Sequence, residues 1–307
     1  MRKSGRLDRI ETEMTRSGKR KNRGRRKKSR KLLYLLVSLG LIGALAFFFL
    51  RTKPVEKRVV QPMPPPPTPA AKLPEEGKRE KEPPPPSAAR LALIIDDGGY
   101  NLDKLKGLVG LGKPMTFAIL PNVPHSRDAA LLAHREGAEI ILHLPMEPQE
   151  IERYSLEKDT VLTGMDKTEI QAILHKALSQ IPHVRGVNNH MGSKATEDPR
   201  VMKALMEVLK KEGLYYVDSH TSSHSVGPQA ARQTGVAFAS NDRFIDHEKD
   251  LEAIKKAIRL AMKRAKQEGK AVAIGHPHPL TARAIREMIP EIEGAGIKMV
   301  FASEVVG

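Results

Sequence analysis

From Ala89 onward, short apolar runs alternate with stretches in which apolar residues recur every three or four positions. The runs fall at 91–95, 115–120, 139–144, 185–189, 214–218, 236–240, 271–275 and 298–302. Their length and their branched residues predict buried strands. The periodic stretches, at 102–111, 126–136, 167–180, 198–211, 247–268 and 281–293, predict amphipathic helices. Asp198-Pro199 is a start signal, a capping acid before proline at the first helical position, and Gly137, Gly213, Gly269 and Gly294 stand where helices should end. Strands alternating with helices predict a parallel sheet of the α/β class. Seven or eight such units within residues 90–307 suit a (β/α) barrel better than the alternative, an open doubly wound sheet.

Upstream, the pattern changes twice. Residues 32–50 form 19 consecutive uncharged positions between Lys31 and Arg51. As a helix rising ~1.5 Å per residue, this run spans roughly the ~30 Å hydrocarbon core of a bilayer. Residues 51–89 hold 12 of the 23 prolines, mixed with Lys and Glu, and predict an extended, disordered spacer. The expected organisation is therefore a tail at 1–31, a transmembrane anchor at 32–50, a Pro-rich linker at 51–89 and a folded domain at 90–307.

Charge sharpens this picture. Of the formal +16, residues 1–31 carry 15 Lys and Arg against 3 acids, whereas 90–307 carry 29 against 28. The basic tail next to the apolar run predicts a cytoplasmic N-terminus and a single pass, with the domain outside, periplasmic or extracellular. A cleaved signal peptide is the rival, since Ala44-Leu45-Ala46 has the form of a cleavage site, but the apolar run is long for one. A neutral body with 4% aromatic residues offers few stacking platforms, so no nucleic-acid partner is expected. There is no cysteine, so a metal site must use His, Asp or Glu.

The chemistry gathers at the ends of the predicted strands, where barrel enzymes place it. The first strand stops at Asp96-Asp97-Gly98-Gly99. Two adjacent carboxylates at the mouth of an apolar sheet repel, so one holds a proton or a cation sits between them. The third strand ends at His143, the fourth at Asn188-Asn189-His190, the fifth at Asp218-Ser219-His220, the sixth close to Asn241-Asp242 and the seventh at Gly275-His276-Pro277-His278. Asp97, His143 and His190 would make an Asp-His-His set suited to zinc or a similar divalent ion. Asp96 could then take a proton from the attacking water, and His276 could protonate the leaving group. His220 and His224 also have a metal-ligand spacing, but they follow the fifth strand. His125, His134, His175, His183 and His247 lie on helical or loop segments and are expected to be solvated.

The motifs Asp96-Asp97-Gly98, His143-Leu144-Pro145-Met146, Asn188-Asn189-His190-Met191-Gly192-Ser193 and Gly275-His276-Pro277 resemble those of the divergent polysaccharide deacetylases. That family is similar to the wider NodB-like deacetylases. The resemblance covers about residues 90–305 and implies a distorted (β/α)7-8 barrel of NodB-like type. It also implies that Asp96 is the base, Asp97 a metal ligand and His276 the catalytic acid; Asp218, by its place at the end of the fifth strand, is expected to orient a ligand or His276. The pattern departs from NodB-like enzymes, which take both metal histidines from one His-x-x-x-His segment; here His190 comes from the next strand.

Together these features point to a membrane-anchored, metal-dependent hydrolase that removes acetyl groups from N-acetylated sugars of an envelope polysaccharide. The expected partners are that polysaccharide and, through residues 32–50, the lipid bilayer. The alternatives are an O-acetyl esterase and a catalytically weak glycan-binding or scaffolding protein.

Overall fold

The computed structural model describes residues 88–307. The expected tail and anchor, and the linker up to residue 87, lie outside the described residues. Among the described residues, no helix is long and apolar enough to cross a membrane.

Nine strands form one sheet: β1 (Arg90–Gly98), β2 (Thr116–Ile119), β3 (Glu139–Met146), β4 (Val184–Met191), β5 (Tyr215–Asp218), β6 (Phe238–Ser240), β7 (Arg243–Phe244), β8 (Lys270–Gly275) and β9 (Lys298–Val300). Every ladder is parallel, in the order β6-β5-β4-β3-β2-β1-β8-β7, with β9 added to the start of β1. The architecture is an α/β half-barrel of parallel strands. Its two edges are consecutive pieces of one chain segment. β6 pairs with β5, Asn241 and Asp242 follow, and β7 pairs with β8. The backbone N–H of Asn241 donates to Asp218 and that of Asp242 to Val272, so the segment passes from one edge to the other.

Seven helices accompany the strands: α1 (Leu102–Val109), α2 (Ser126–Arg135), α3 (Lys167–Gln180), α4 (Pro199–Glu212), α5 (Gly227–Thr234), α6 (Leu251–Glu268) and α7 (Pro279–Gly294). Their starts follow local chemistry. Asp198 accepts from the Arg200 N–H ahead of Pro199, and Asp166 with Glu169 forms a capping box on α3. α6 buries Ile254, Ile258, Ala261, Met262 and Ala265, a stripe at helical spacing. Each large side chain of that stripe stabilises by about 1.5–3 kcal/mol.

Two apolar layers result from strand alternation. On β1, Leu91, Leu93 and Ile95 pack in the larger layer, with buried residues of the helices. Ala92 and Ile94 fall in the smaller layer, enclosed by the strands together with Ile141, Val217 and Ile274. At the N-terminal end of the strands, buried Glu139 accepts from Thr116 Oγ1 (2.9 Å), Tyr215 OH (2.7 Å) and Ser303 N (3.1 Å). These bonds tie the C-terminal segment to that end of the sheet.

Three features differ from the sequence expectation. β1 runs on through Asp96 and Asp97 to Gly98 instead of stopping at Ile95. α5 goes unannounced, since its buried apolar contacts are only Ala230 and Ala231. β7 is two residues long, too short for any periodicity to show.

Candidate active site

Alternation carries the small enclosed layer upward into polar chemistry. Two residues beyond Ile94 is Asp96, beyond Ile141 is His143, and beyond Ile274 is His276. Asn188 is the register partner of His143. By the same alternation Asp97 should face away. It does not, because its backbone is left-handed (φ 55°) and the register with β2 slips between Ile95 and Gly98. Such a conformation in a non-glycine residue costs roughly 1–3 kcal/mol and tends to mark functional sites. Gly98 makes the turn possible: a Cβ there would overlap the buried Ile119 side chain and stand 3.1 Å from the Ala118 carbonyl. Neighbouring carboxylates thus reach one site from within a strand.

Asp97, His143 and His190 come together. His143 Nε2 lies 3.3 Å and His190 Nδ1 lies 3.1 Å from Asp97 Oδ1, and the two nitrogens are 3.1 Å apart. Nitrogen and oxygen ligands at about 2.0–2.2 Å in a tetrahedral shell stand about 3.3 Å from one another. The triangle therefore has the edge lengths of three tetrahedral corners. Among the described residues it is the one His/Asp/Glu cluster of metal-ligand geometry. Asp97 Oδ1 is buried with no hydrogen-bond partner, a lack that a bound cation would make good. The residues present fit a divalent ion.

The surrounding shell fixes these groups. Asn188 Nδ2 donates to Asp96 Oδ1 (2.8 Å), which leaves Asn188 Oδ1 to accept from His143 Nδ1 (2.8 Å). With its proton on Nδ1, the neutral imidazole turns the Nε2 lone pair into the triangle. Asp96 Oδ2 lies 3.6 Å from that Nε2. His276 Nε2 lies 4.0 Å from Asp97 Oδ2. On its other side, His276 Nδ1 is 2.9 Å from Asp246 Oδ1, and its backbone N–H donates to Asp246 Oδ2 (2.6 Å). Thr281 Oγ1 donates to the same oxygen (2.8 Å).

Environment drives the two carboxylates apart. Burial pushes the Asp96 carboxyl up, against the nearby His143 and His276. Burial also works against the Asp97 charge, but His143 and His190, when protonated in the absence of a cation, hold its carboxyl well below the usual range, a role a bound cation would take over. Burial alone would lower His276; the hydrogen-bonded Asp246 carboxylate overrides it and raises the imidazole to about 9. One carboxylate is thus suited to accept a proton, one to bind a cation, and one imidazolium to give a proton up.

The remaining expectations fall as follows. Asp218 is not the carboxylate that orients His276: it accepts from the His220 N–H and from Ser225 Oγ, and so shapes the loop after β5. The carboxylate on His276 is Asp246, which sequence reasoning missed because the strand before it is so short. Asn188 was legible as part of a motif but not as the group that sets the His143 tautomer. His220 and His224 stay out of the triangle: His220 Nδ1 is 3.3 Å from the Asn241 carbonyl, and the His224 side chain is 82% exposed near Glu197. His134, His175, His183 and His247 are exposed, with His134 and His183 stacked on one another, and His125 is half-buried. A cavity of about 450 Å³ opens at the opposite end of the strands, lined by Arg185, Glu212 and Tyr215 among others, and none of the site residues borders it.

Comparison with known proteins gives the chain its relatives. An uncharacterized protein of Escherichia coli K12, YibQ, is 36% identical over 198 residues, covering 64% of this chain and 61% of that one. The chain thus spans less than two thirds of that relative's length. An uncharacterized protein of Haemophilus influenzae is 30% identical over 219 residues, covering 70% of this chain and 78% of the relative. The crystal structure of the uncharacterized protein ATU2773 from Agrobacterium tumefaciens shares the fold, with a TM-score of 0.67 at 22% identity over 71% of this chain and 89% of that one. The model of the divergent polysaccharide deacetylase family matches residues 93–306. With most of its length matched in this way, the chain belongs to the divergent polysaccharide deacetylase family.

Proposed function

We propose that the protein is a metal-dependent hydrolase that removes acetyl groups from N-acetylated sugars of an envelope polysaccharide, held at a membrane by residues 32–50. The observation that carries this reading is the Asp97–His143–His190 triangle, with a buried carboxylate 3.6 Å from one corner and an Asp246-backed imidazole 4.0 Å from another. A divalent cation bound there supplies Lewis acidity, polarising the acetyl carbonyl and making water a better nucleophile near neutral pH.

The chain's own residues do the rest. Asp97, His143 and His190 hold the cation, and Asn188 keeps the His143 lone pair aimed at it. Asp96 accepts the proton that the attacking water loses as its oxygen bonds to the carbonyl carbon. His276 delivers a proton from Nε2 to the sugar nitrogen as the C–N bond breaks, and the products are acetate and a free amine. Asp246 holds His276 by Nδ1 and keeps it protonated until that step. The basic tail, the apolar run and the proline-rich spacer support a substrate outside the membrane.

Metal analysis and acetate assays on the full-length protein test this reading. One equivalent of zinc or a similar ion is expected, lost in His190→Ala, with acetate released from N-acetylated oligosaccharides. Acetate from O-acetylated substrates alone would make the protein an esterase. Metal-free protein in every preparation, with no acetate released, would leave a glycan-binding or scaffolding role.

A further inference from the structure

One acid at the site belongs to none of the strand ends. Glu157 lies on the loop between β3 and α3, and its Oε2 is 3.4 Å from His190 Nε2, the ring nitrogen turned away from the triangle. That nitrogen is buried and makes no hydrogen bond. Both side chains are only 15% exposed, so each needs a partner that water cannot readily supply. The other Glu157 oxygen, Oε1, accepts from Tyr100 OH (3.0 Å), on the turn just after Asp97-Gly98-Gly99.

The loop is long but firmly held. At its base Met146 bridges to Val161, and Thr163 donates to buried Glu147, which also pairs with Lys194 (2.6 Å). Near its tip, Asn122 on the β2–α2 connection donates to the Lys158 carbonyl (3.2 Å) and to Asp159 (3.1 Å). A loop anchored on both flanks holds the Glu157 carboxylate beside the Nε2 edge of His190.

We propose that Glu157 is a positioning residue for the metal centre: it accepts a hydrogen bond from the His190 Nε2–H, which keeps the proton on that nitrogen and leaves the Nδ1 lone pair pointing into the triangle. His143 has Asn188 for this purpose; His190 has Glu157, held in turn by Tyr100. Each imidazole is then fixed by an acceptor on its outer nitrogen, the second of them supplied by a loop instead of a strand. The inference rests on the metal-centre reading above and goes beyond it by naming which residue completes the shell. It also makes the β3–α3 loop part of the site, since a loop that swings away takes the His190 partner with it.

The test is a binding titration of metal-free full-length protein with zinc alone, competed against a chromophoric chelator, for wild type, Glu157→Ala and Glu157→Gln. Loss of an outer-shell partner typically weakens metal affinity about 10–100-fold. Glu157→Ala should bind zinc weaker by about that factor, and Glu157→Gln, which keeps an acceptor oxygen, should recover part of the loss. Thermal melts of the metal-free forms accompany the titration; should Glu157→Ala not fold, the Gln variant against wild type carries the test, with a smaller loss expected. Wild-type affinity in a folded Glu157→Ala, or in the Gln variant when Ala does not fold, overturns the proposal, as does a Gln variant no tighter than a folded Ala. Wild-type protein that binds no zinc would overturn the metal-centre reading itself, and this inference with it, an outcome distinct from the others.

Discussion

Asp96 and Asp97 are chemically identical side chains, one bond apart in sequence, with opposite tasks. The difference arises from what surrounds each of them. Asp96 is enclosed at the top of the strands, 2% exposed, whereas Asp97 has two imidazoles at its Oδ1. The same principle acts at His276. Its imidazole is raised to about 9, so the protonated form persists through neutral pH and is lost as pH rises through that value. Activity that needs this proton should therefore fall on the alkaline side. Asp246→Asn removes the carboxylate that holds the proton, so the alkaline limb of kcat/KM should move to lower pH while zinc binding persists. His276→Ala should reduce kcat by roughly 10²–10⁴, the usual contribution of a general acid, and abolish that limb. Steady-state kinetics across pH check both. At this scale the residue types were legible as strand-end acids and imidazoles, but Asp246 and Glu157 were not: one follows a two-residue strand, and the other reaches the site only through the path of a loop.

The elements owe their positions to small residues as much as to large ones. Gly186 on β4 faces the ring of Tyr215, and a Cβ there would overlap its atoms. Tyr215 is buried and donates to Glu139. Gly186→Ala should displace that ring, break the bond to Glu139 and destabilise the fold by about 1–3 kcal/mol, the usual range for overpacking. A lowered midpoint in denaturant with an unchanged slope is the expected result, because the change acts on the folded state and not on its extent. Helix α3 matches the expected 167–180 because Asp166 and Glu169 cap it and an apolar stripe runs its length. Helix α5 escaped because two alanines bury little apolar area and leave no periodic signal. β1 outran its apolar run because a strand can continue on polar residues when neighbouring strands supply the hydrogen bonds.

At the scale of the whole molecule, the body from residue 88 is a half-barrel with its candidate chemistry at one end, preceded by the basic, apolar and proline-rich segments. The proposed anchor makes a plain prediction. Full-length protein should remain in the membrane fraction after alkaline extraction, and a form lacking residues 1–50 should be soluble. Release of intact full-length protein by alkali would refute the anchor without touching the site.

Composition and periodicity determined by themselves that this is an α/β chain of parallel strands and which residue types stand at the strand ends; that these residues form family motifs came from their resemblance to the divergent polysaccharide deacetylases. Those properties are local: an apolar run, a capping acid or a motif keeps its meaning within a few residues. Only the tertiary structure decided that Asp97 joins Asp96 from within a strand through a left-handed backbone, that Asp246 and not Asp218 backs His276, and that Glu157 meets His190. Each of these depends on where distant segments pass in space, and that is set by packing of the two apolar layers together.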